Sequence, residues 1–365
     1  MRIAIVGSRG IPARYGGFET LAENLARVWV AQGHEVFVTG FDGNESEPEF
    51  PTGGRLTQVR VSKFPVRRLE NLISTFRATK RLVANHRPDA ALVLNDVNYL
   101  SAKYLNSKGI KTLLHMDGAE DRRSGINGPG KALHKFFRGK SKKSGIDLVV
   151  DSPALLSEFS ISGRTPLLIT YAPQVASSDP EFAERFLASR GISSDFFLVV
   201  ARWVAENQIV QIIESFLSCG IESNLVILGK GTGFPKYEEQ VVSAAKGSAK
   251  IHLLEKNYDP VLVASLLSLS KAYIHGHTVG GTNPILVDAR AHARVILAND
   301  NQYNRIGEGS NERFWKSPSD LVSVVQSVEL DGSIPATKPI SLMTWEKIAE
   351  SFLSGLSRKS ALDGK

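Results

Sequence analysis

The segment Ile274–Asn301, IHGHTVGGTNPILVDARAHARVILANDN, constrains this chain more than any other. It reads as strand, glycine loop, helix and strand, with its polar groups gathered at one end. Gly280 and Gly281 let a backbone approach a ligand closely, and Thr282 or Asn283 can cap a helix whose first turn holds Pro284. Free N–H groups at such a helix start face an anion, and Asp288 follows one to two turns in. The chain opens on a similar pattern, MRIAIVGSRGIPARYGGFE. Two such ends predict two nucleotide-type folds in one chain.

The 365 residues suit two domains of ordinary size, and 42% apolar with 22% charged residues is the make-up of a globular protein. Alternating patterns place strands at Arg2–Gly7, Glu35–Thr39, Gln58–Val61, Ala90–Leu94, Thr112–His115, Leu148–Asp151 and Leu167–Ile169, with helices between them. The pattern restarts after Tyr171. Strands are expected at Phe197–Ala201, Asn224–Leu228, Lys250–Leu254, Ala272–His275 and Val295–Ala298. Gln208–Ser218, Lys236–Ala245, Val261–Leu269 and Pro284–His292 read as the helices of this half. Trp345–Leu356 reads as a last amphipathic helix, followed by a frayed tail. The expected division is 1–172, 173–344, and a C-terminal helix and tail over 345–365.

One cysteine, Cys219, excludes an internal disulfide framework and agrees with a reducing compartment. The start of the chain lacks a signal-peptide h-region and no segment is long enough to span a membrane, so a cytoplasmic location is expected. The net charge of +7 is uneven: residues 1–175 hold 25 Lys and Arg against 16 Asp and Glu, and Arg55–Lys143 holds 20 against 6. Nucleic acid, anionic lipid and a diphosphate substrate each fit such an excess. The interleaving of Phe64, Phe136 and Phe137 with basic residues favours a membrane surface over nucleic acid, with ordinary solvated helix faces as the alternative.

Other chemistries find no support. Gly7-Ser-Arg-Gly-Ile-Pro lacks the third glycine of a dinucleotide fingerprint, and neither a phosphate-loop ATPase motif nor a G-x-S-x-G elbow occurs. His275 and His277 have no Cys or carboxylate cluster to complete a metal site, and no D-x-D pair is present to hold a divalent cation, so no metal is expected.

Ala13-Arg-Tyr-Gly-Gly-Phe-Glu, Asp117-Gly-Ala-Glu, Ala201-Arg-Trp-Val-Ala-Glu-Asn, His275-Gly-His-Thr-Val-Gly-Gly-Thr-Asn-Pro, Asn299-Asp-Asn-Gln-Tyr-Asn-Arg and Thr344-Trp-Glu-Lys-Ile-Ala together resemble family 4 glycosyltransferases, in particular a rhamnosyltransferase-like subgroup. The resemblance covers nearly the whole chain. It implies the GT-B fold, two Rossmann-like doubly wound parallel-sheet domains facing a central cleft. It also implies transfer of a sugar from a nucleotide-sugar donor, dTDP-L-rhamnose, to a lipid-linked saccharide acceptor in bacterial surface polysaccharide synthesis. The same resemblance implies that configuration is retained and that no metal or other cofactor is bound, and the expected location is peripheral, on the inner face of the cell membrane.

The same resemblance assigns roles. Gly16 and Gly17 approach the donor diphosphate, and Arg202 pairs with its oxygens. Gly280, Gly281, Thr282 and Asn283 cradle phosphates and sugar, and Asp288 accepts from the ribose. Asp117 accepts the acceptor hydroxyl's proton or orients that hydroxyl, a turn aspartate being the alternative, and His115, Glu120 and Glu19 are secondary candidates. This chain has Asn207 and Gln208 where many relatives carry a lysine, and Gly280 and Asp288 where two glutamates are usual. Arg290 stands where an apolar residue is common. These departures motivate an alternative, a weak or inactive binding protein on the same fold.

Overall fold

The computed structural model describes residues 1–13, 16–42, 49–65, 70–116, 118, 128–161, 163–175, 177–230, 234–305, 311–331 and 343–357. In chain order the first elements are β1 (Arg2–Val6), α1 (Gly17–Ala31), β2 (Glu35–Phe41), β3 (Arg55–Val61), α2 (Glu70–Asn85), β4 (Ala90–Leu94), α3 (Tyr99–Ser107), β5 (Lys111–His115), α4 (Gly128–Lys142), β6 (Asp147–Val150), α5 (Pro153–Phe159) and β7 (Leu167–Leu168). There follow α6 (Pro180–Ala188), β8 (Phe196–Val200), α7 (Ile209–Ser218), β9 (Asn224–Lys230), α8 (Pro235–Ala245), β10 (Ile251–Glu255), α9 (Pro260–Leu269), β11 (Tyr273–His275), α10 (Pro284–His292), β12 (Ile296–Asn299), β13 (Glu312–Trp315), α11 (Pro318–Leu330) and α12 (Trp345–Ser357).

Two compact units result: Met1–Arg122 with Ile126–Tyr171 and Met343–Lys365, and Arg123–Gly125 with Ala172–Leu342. The last helix, α12, thus belongs to the first unit. It buries Ile348, Ala349 and Phe352, and the indole of Trp29 on α1 donates to the Ala349 carbonyl at 3.3 Å.

Both sheets are parallel throughout their named pairings. The first has the order β3-β2-β1-β4-β5-β6-β7 and the second β10-β9-β8-β11-β12-β13. The strands that carry this arrangement are near-continuous apolar runs, such as Ile3–Val6 and Phe196–Val199, because helices cover both sheet faces. Helix starts recur as one polar cap followed by proline: Ser152-Pro153, Asp179-Pro180, Asp259-Pro260, Asn283-Pro284 and Ser317-Pro318. The proline lacks the N–H that the first helical turn leaves unpaired, and the cap accepts from the next residues.

Strand β13 and helix α11 are absent from the sequence reading. Residues Glu312–Trp315 show little apolar run; the strand is held instead by a buried ion pair, Glu312 with Arg290 of α10 at 2.6 Å. The arginine also donates to the Asn304 carbonyl, which gives its place on α10 a structural reason. No described helix is long and apolar enough to cross a membrane.

Strand ends in the second unit approach each other tightly. Gly229 has φ +140°, and a Cβ there would lie 1.9 Å from the Ala201 carbonyl oxygen. Gly229→Ala is therefore expected to lower the unfolding free energy by about 2 kcal/mol or more, the scale of one strained backbone position. Gly139→Ala, in the open middle of α4, is expected to raise it by up to about 1 kcal/mol. Urea unfolding of the two variants checks the contrast, and equal effects would contradict it.

Candidate functional site

In an open parallel sheet, a ligand crevice forms where the strand order reverses, outside the carboxyl ends of the two strands that diverge. In the second unit those strands are β8 and β11. The loop after β8 runs Ala201–Gln208 and the loop after β11 runs Gly276–Asn283, so both segments singled out by motif flank this point. Their backbones interlock. Thr278 donates through its N–H and its hydroxyl to the Glu206 carbonyl, at 3.0 and 3.1 Å. Gln208, with φ +52°, donates from its amide to the Gly276 carbonyl at 2.9 Å. Asn207 donates to the Arg202 carbonyl at 2.8 Å and meets His277 Nδ1 at 2.7 Å. Gly276 is required here, since a Cβ would fall 2.3 Å from the Asn207 carbonyl oxygen.

Arg202 sits at the head of the first loop, between half-exposed Ala201 and Trp203, whose side chain is wholly buried in the core. Among the described residues its guanidinium has neither a carboxylate nor an acceptor within reach. Lys230, at the end of neighbouring β9, pairs with Glu255 at 3.8 Å.

The glycine loop departs from one expectation. Asn283, rather than Thr282, is the α10 cap: its side chain takes the Ile285 N–H, and its carbonyl takes those of Leu286 and Val287. With Pro284 lacking an N–H, the first turn has no N–H left for an anion. The open donors lie one step earlier. Gly280, at φ +119°, and Gly281 donate to no described residue.

Behind the loop lies a buried polar layer. Asn301 and Asn304 both donate to the His277 carbonyl at 2.9 Å, and His275 shares a 2.9 Å hydrogen bond with the Tyr273 hydroxyl. Burial, then the neighbouring His277 and Arg290, push His275 well below the usual histidine range, so that ring is uncharged at neutral pH. Each histidine engages its Nδ1 with a different partner, which is a structural arrangement and not a converging ligand set. Asp288 is 4% exposed and accepts from the Gln174 N–H and side-chain amide at 2.8 and 3.2 Å. It is thus no solvated helix carboxylate; it ties α10 to the segment entering this unit.

In the first unit the order reverses between β1 and β4. The loop after β1 is clamped: Gly7 and Ser8 bond Thr39, the Arg9 N–H donates to Glu19, and the Ala13 N–H donates to Glu23 at 2.6 Å. Glu19 is 6% exposed. Burial raises its pKa against the lowering effect of the Arg9, Glu19 and Gly16 backbone N–H groups, and its carboxylate occupies the start of α1. Gly17 opens that helix. Gly16 caps it in an extended conformation with room for a side chain, so no contact within the described residues demands glycine there. His115 closes β5 and is 1% exposed, set edge-on to Phe18 at 5.4 Å and stacked on Phe352 at 6.3 Å. That enclosure leaves its ring with helices α1 and α12. Asp117 and Glu120 lie outside the described residues.

The sequence reading missed a buried charge cluster at the end of β4. Asp96 is fully buried, 2.7 Å from His134 Nδ1 and 3.8 Å from Arg138 Nε, and Arg138 also pairs with Glu158 at 2.9 Å. Two of the residues that looked like a basic, aromatic surface on α4, Arg138 and Phe137, therefore face inward. Lys135, Phe136, Lys140 and Lys143 remain outside, with Lys140 over the Phe136 ring.

Residues 1–51 match a family described only as a domain of unknown function (DUF1972). No curated protein sequence matches the chain. Among solved structures, sucrose-phosphate synthase from Thermosynechococcus elongatus is 14% identical, with 97% of this chain and 93% of that one covered at a TM-score of 0.72. A TarM variant from S. aureus, in complex with fondaparinux, α-GlcNAc-glycerol and UDP, is 10% identical over 98% and 100% at 0.72. Anabaena HepE in complex with UDP is 12% identical over 97% and 95% at 0.65. The likeness spans both units and shows the fold, two parallel-sheet α/β domains of the GT-B kind.

Asp288 provides a stability test. Burial raises its carboxyl above the ordinary aspartate value, so the folded state holds the proton more tightly than the unfolded one. Its contribution is largest below the unfolded pKa and shrinks as pH rises through the folded one. The stability of the native chain relative to Asp288→Asn should accordingly fall between about pH 4 and about pH 7. Asp288→Ala, which leaves the Gln174 donors unpartnered, should cost about 1–3 kcal/mol at neutral pH. Urea titrations at the two pH values check both; an unaffected alanine variant would contradict the tie.

Proposed function

We propose that this chain is a glycosyltransferase that takes a sugar from a nucleoside-diphosphate donor and passes it to a lipid-linked saccharide during synthesis of a bacterial surface polysaccharide. The observation that carries the reading is Arg202: a permanent cation with no described counter-charge, in a loop bound to the one that holds the open N–H groups of Gly280 and Gly281. That set matches a diphosphate, which needs a fixed fork and backbone donors. Two structures with a similar fold hold UDP, and the motifs resemble the rhamnosyltransferase-like subgroup of family 4 enzymes, which favours dTDP-L-rhamnose as donor.

Gly16, Gly17, Thr282 and Asn283 complete the donor contacts in this reading. Ribose hydroxyls would take the Asp288 oxygen now held by the Gln174 amide. The acceptor hydroxyl attacks the anomeric carbon from the face the diphosphate leaves, so configuration is retained and the departing phosphate takes the proton. Asp117 orients that hydroxyl. Arg202 stabilises the charge that grows on the leaving group, and no metal takes part.

A panel of nucleotide sugars tests the proposal by thermal shift and donor hydrolysis. The expected result is binding and turnover of dTDP-rhamnose that survives EDTA. Arg202→Ala should lose about 3–4 kcal/mol of transition-state stabilisation, and Arg202→Lys should restore part of it. Near-normal turnover in a folded alanine variant, or strict Mg²⁺ dependence, would contradict it. Binding and turnover of no donor would favour a scaffold protein.

The exposed face of α4 supplies the membrane contact. Salt-sensitive binding to phosphatidylglycerol vesicles, and little to phosphatidylcholine, is expected, since each lysine near an anionic surface contributes about 1 kcal/mol. Replacing Lys135, Lys140, Lys142 and Lys143 by Ser should release the protein while donor hydrolysis continues. Arg138 is excluded from that set because its charge is buried on Asp96 and Glu158. Co-sedimentation indifferent to lipid charge would sink the contact.

A further inference from the structure

We infer that Asn207 is a positioning residue of the diphosphate site: it sets where Arg202 stands against the glycine loop, and it decides which nitrogen of His277 carries the proton. The inference rests on the donor-binding reading above and names the residue through which that site is held.

The chemistry of one amide makes the case. The Asn207 side chain is 7% exposed and has two unlike ends. One end lies 2.8 Å from the Arg202 carbonyl, which can only accept, so that end is the NH₂ group. The other end is then Oδ1, which can only accept in its turn, and it lies 2.7 Å from His277 Nδ1. The hydrogen must therefore be on Nδ1, and whenever the ring is neutral Nε2 is the nitrogen with the lone pair. A single side chain thus spans the two loops that meet at the reversal of strand order, donating to one and accepting from the other.

No other residue type of this size repeats that pair of bonds. Lysine donates but cannot accept from His277, aspartate accepts but sets its charge against the Arg202 carbonyl, and leucine does neither. The site also admits little adjustment. The Asn207 carbonyl packs where Gly276 has no Cβ, and buried Trp203 anchors the chain directly after Arg202. A guanidinium placed by its backbone in this way recognises a diphosphate through position. Displacements of about 1 Å in such groups are worth about 10²-fold.

Charge and position make opposite forecasts for Asn207→Lys. Adding a cation next to a diphosphate site strengthens binding if the number of charges governs it; removing the amide weakens binding if the placement of Arg202 governs it. Asn207→Asp is nearly isosteric and keeps the acceptor for His277, but replaces the donor to Arg202 by a negative charge, so it is read together with Asn207→Lys, whose charge has the opposite sign. We would titrate the full-length protein and both variants with dTDP and UDP, and with thymidine and uridine, which lack phosphate. Thermal melting would confirm folding, and ¹⁵N spectra of the wild-type histidines would report the His277 tautomer.

Position predicts at least a tenfold loss of diphosphate affinity in both variants, nucleoside affinity within about twofold, and a His277 ring protonated on Nδ1. The ratio of diphosphate to nucleoside affinity is the readout that a general loosening of the fold would not move. Diphosphate binding by Asn207→Lys as tight as that of the wild type, undiminished binding by Asn207→Asp, or a His277 ring protonated on Nε2 would each overturn the inference while leaving the donor-binding reading in place. A wild-type chain that binds no nucleoside diphosphate would overturn both.

Discussion

Everything proposed for this protein depends on how closely the loops after β8 and β11 pack. Strand order reverses between these two strands, and the crevice that results would be an ordinary solvent gap if the loops moved independently. They do not. The Asn207 carbonyl occupies the space a side chain at Gly276 would need, and Thr278, Gln208 and Asn207 add polar bonds across the gap. Trp203 fixes one loop from the core side, and the buried asparagines Asn299 and Asn304 support the other. Arg202 and the glycine N–H groups are thereby presented from two loops bonded to each other.

The electrostatics of these loops are sparse. Behind the loop His275 is held uncharged by burial, and Tyr273 is pushed far above the usual phenol range by burial and by Asp288. Nearby charges are mostly paired, Lys230 with Glu255 and Arg290 with Glu312. A diphosphate bound as proposed would meet, among the described residues, the unpaired Arg202 fork and a few backbone dipoles. The first unit is built otherwise: at the start of α1 the Glu19 carboxylate accepts the Arg9 N–H.

Much of this was legible in the sequence because strands buried on two faces and helices with Ser, Asp or Asn before proline leave strong local signals. The two α/β domains and the last helix follow from such signals. Other features leave none. Strand β13 depends on a salt bridge to a residue 22 positions away, and Glu312 in a polar stretch looks like surface. The inward turn of Arg138 and Phe137 is invisible in a run of lysines, because only the buried Asp96 at the end of another strand distinguishes them from their neighbours. Asn207 read as a missing lysine, whereas its two bonds reach residues 5 and 70 positions away. The α10 start misled in the opposite sense: the cap expected to expose N–H groups consumes them.

Hydrogen exchange in the presence of a nucleoside diphosphate tests the central claim, that the two loops of the second unit act together as the diphosphate site. Titration with dTDP should slow exchange of amides in 201–208 and in 276–283 with one common midpoint, while the clamped loop 7–13 of the first unit keeps its rates. Protection centred on 7–13, or separate midpoints for the two loops, would contradict the account.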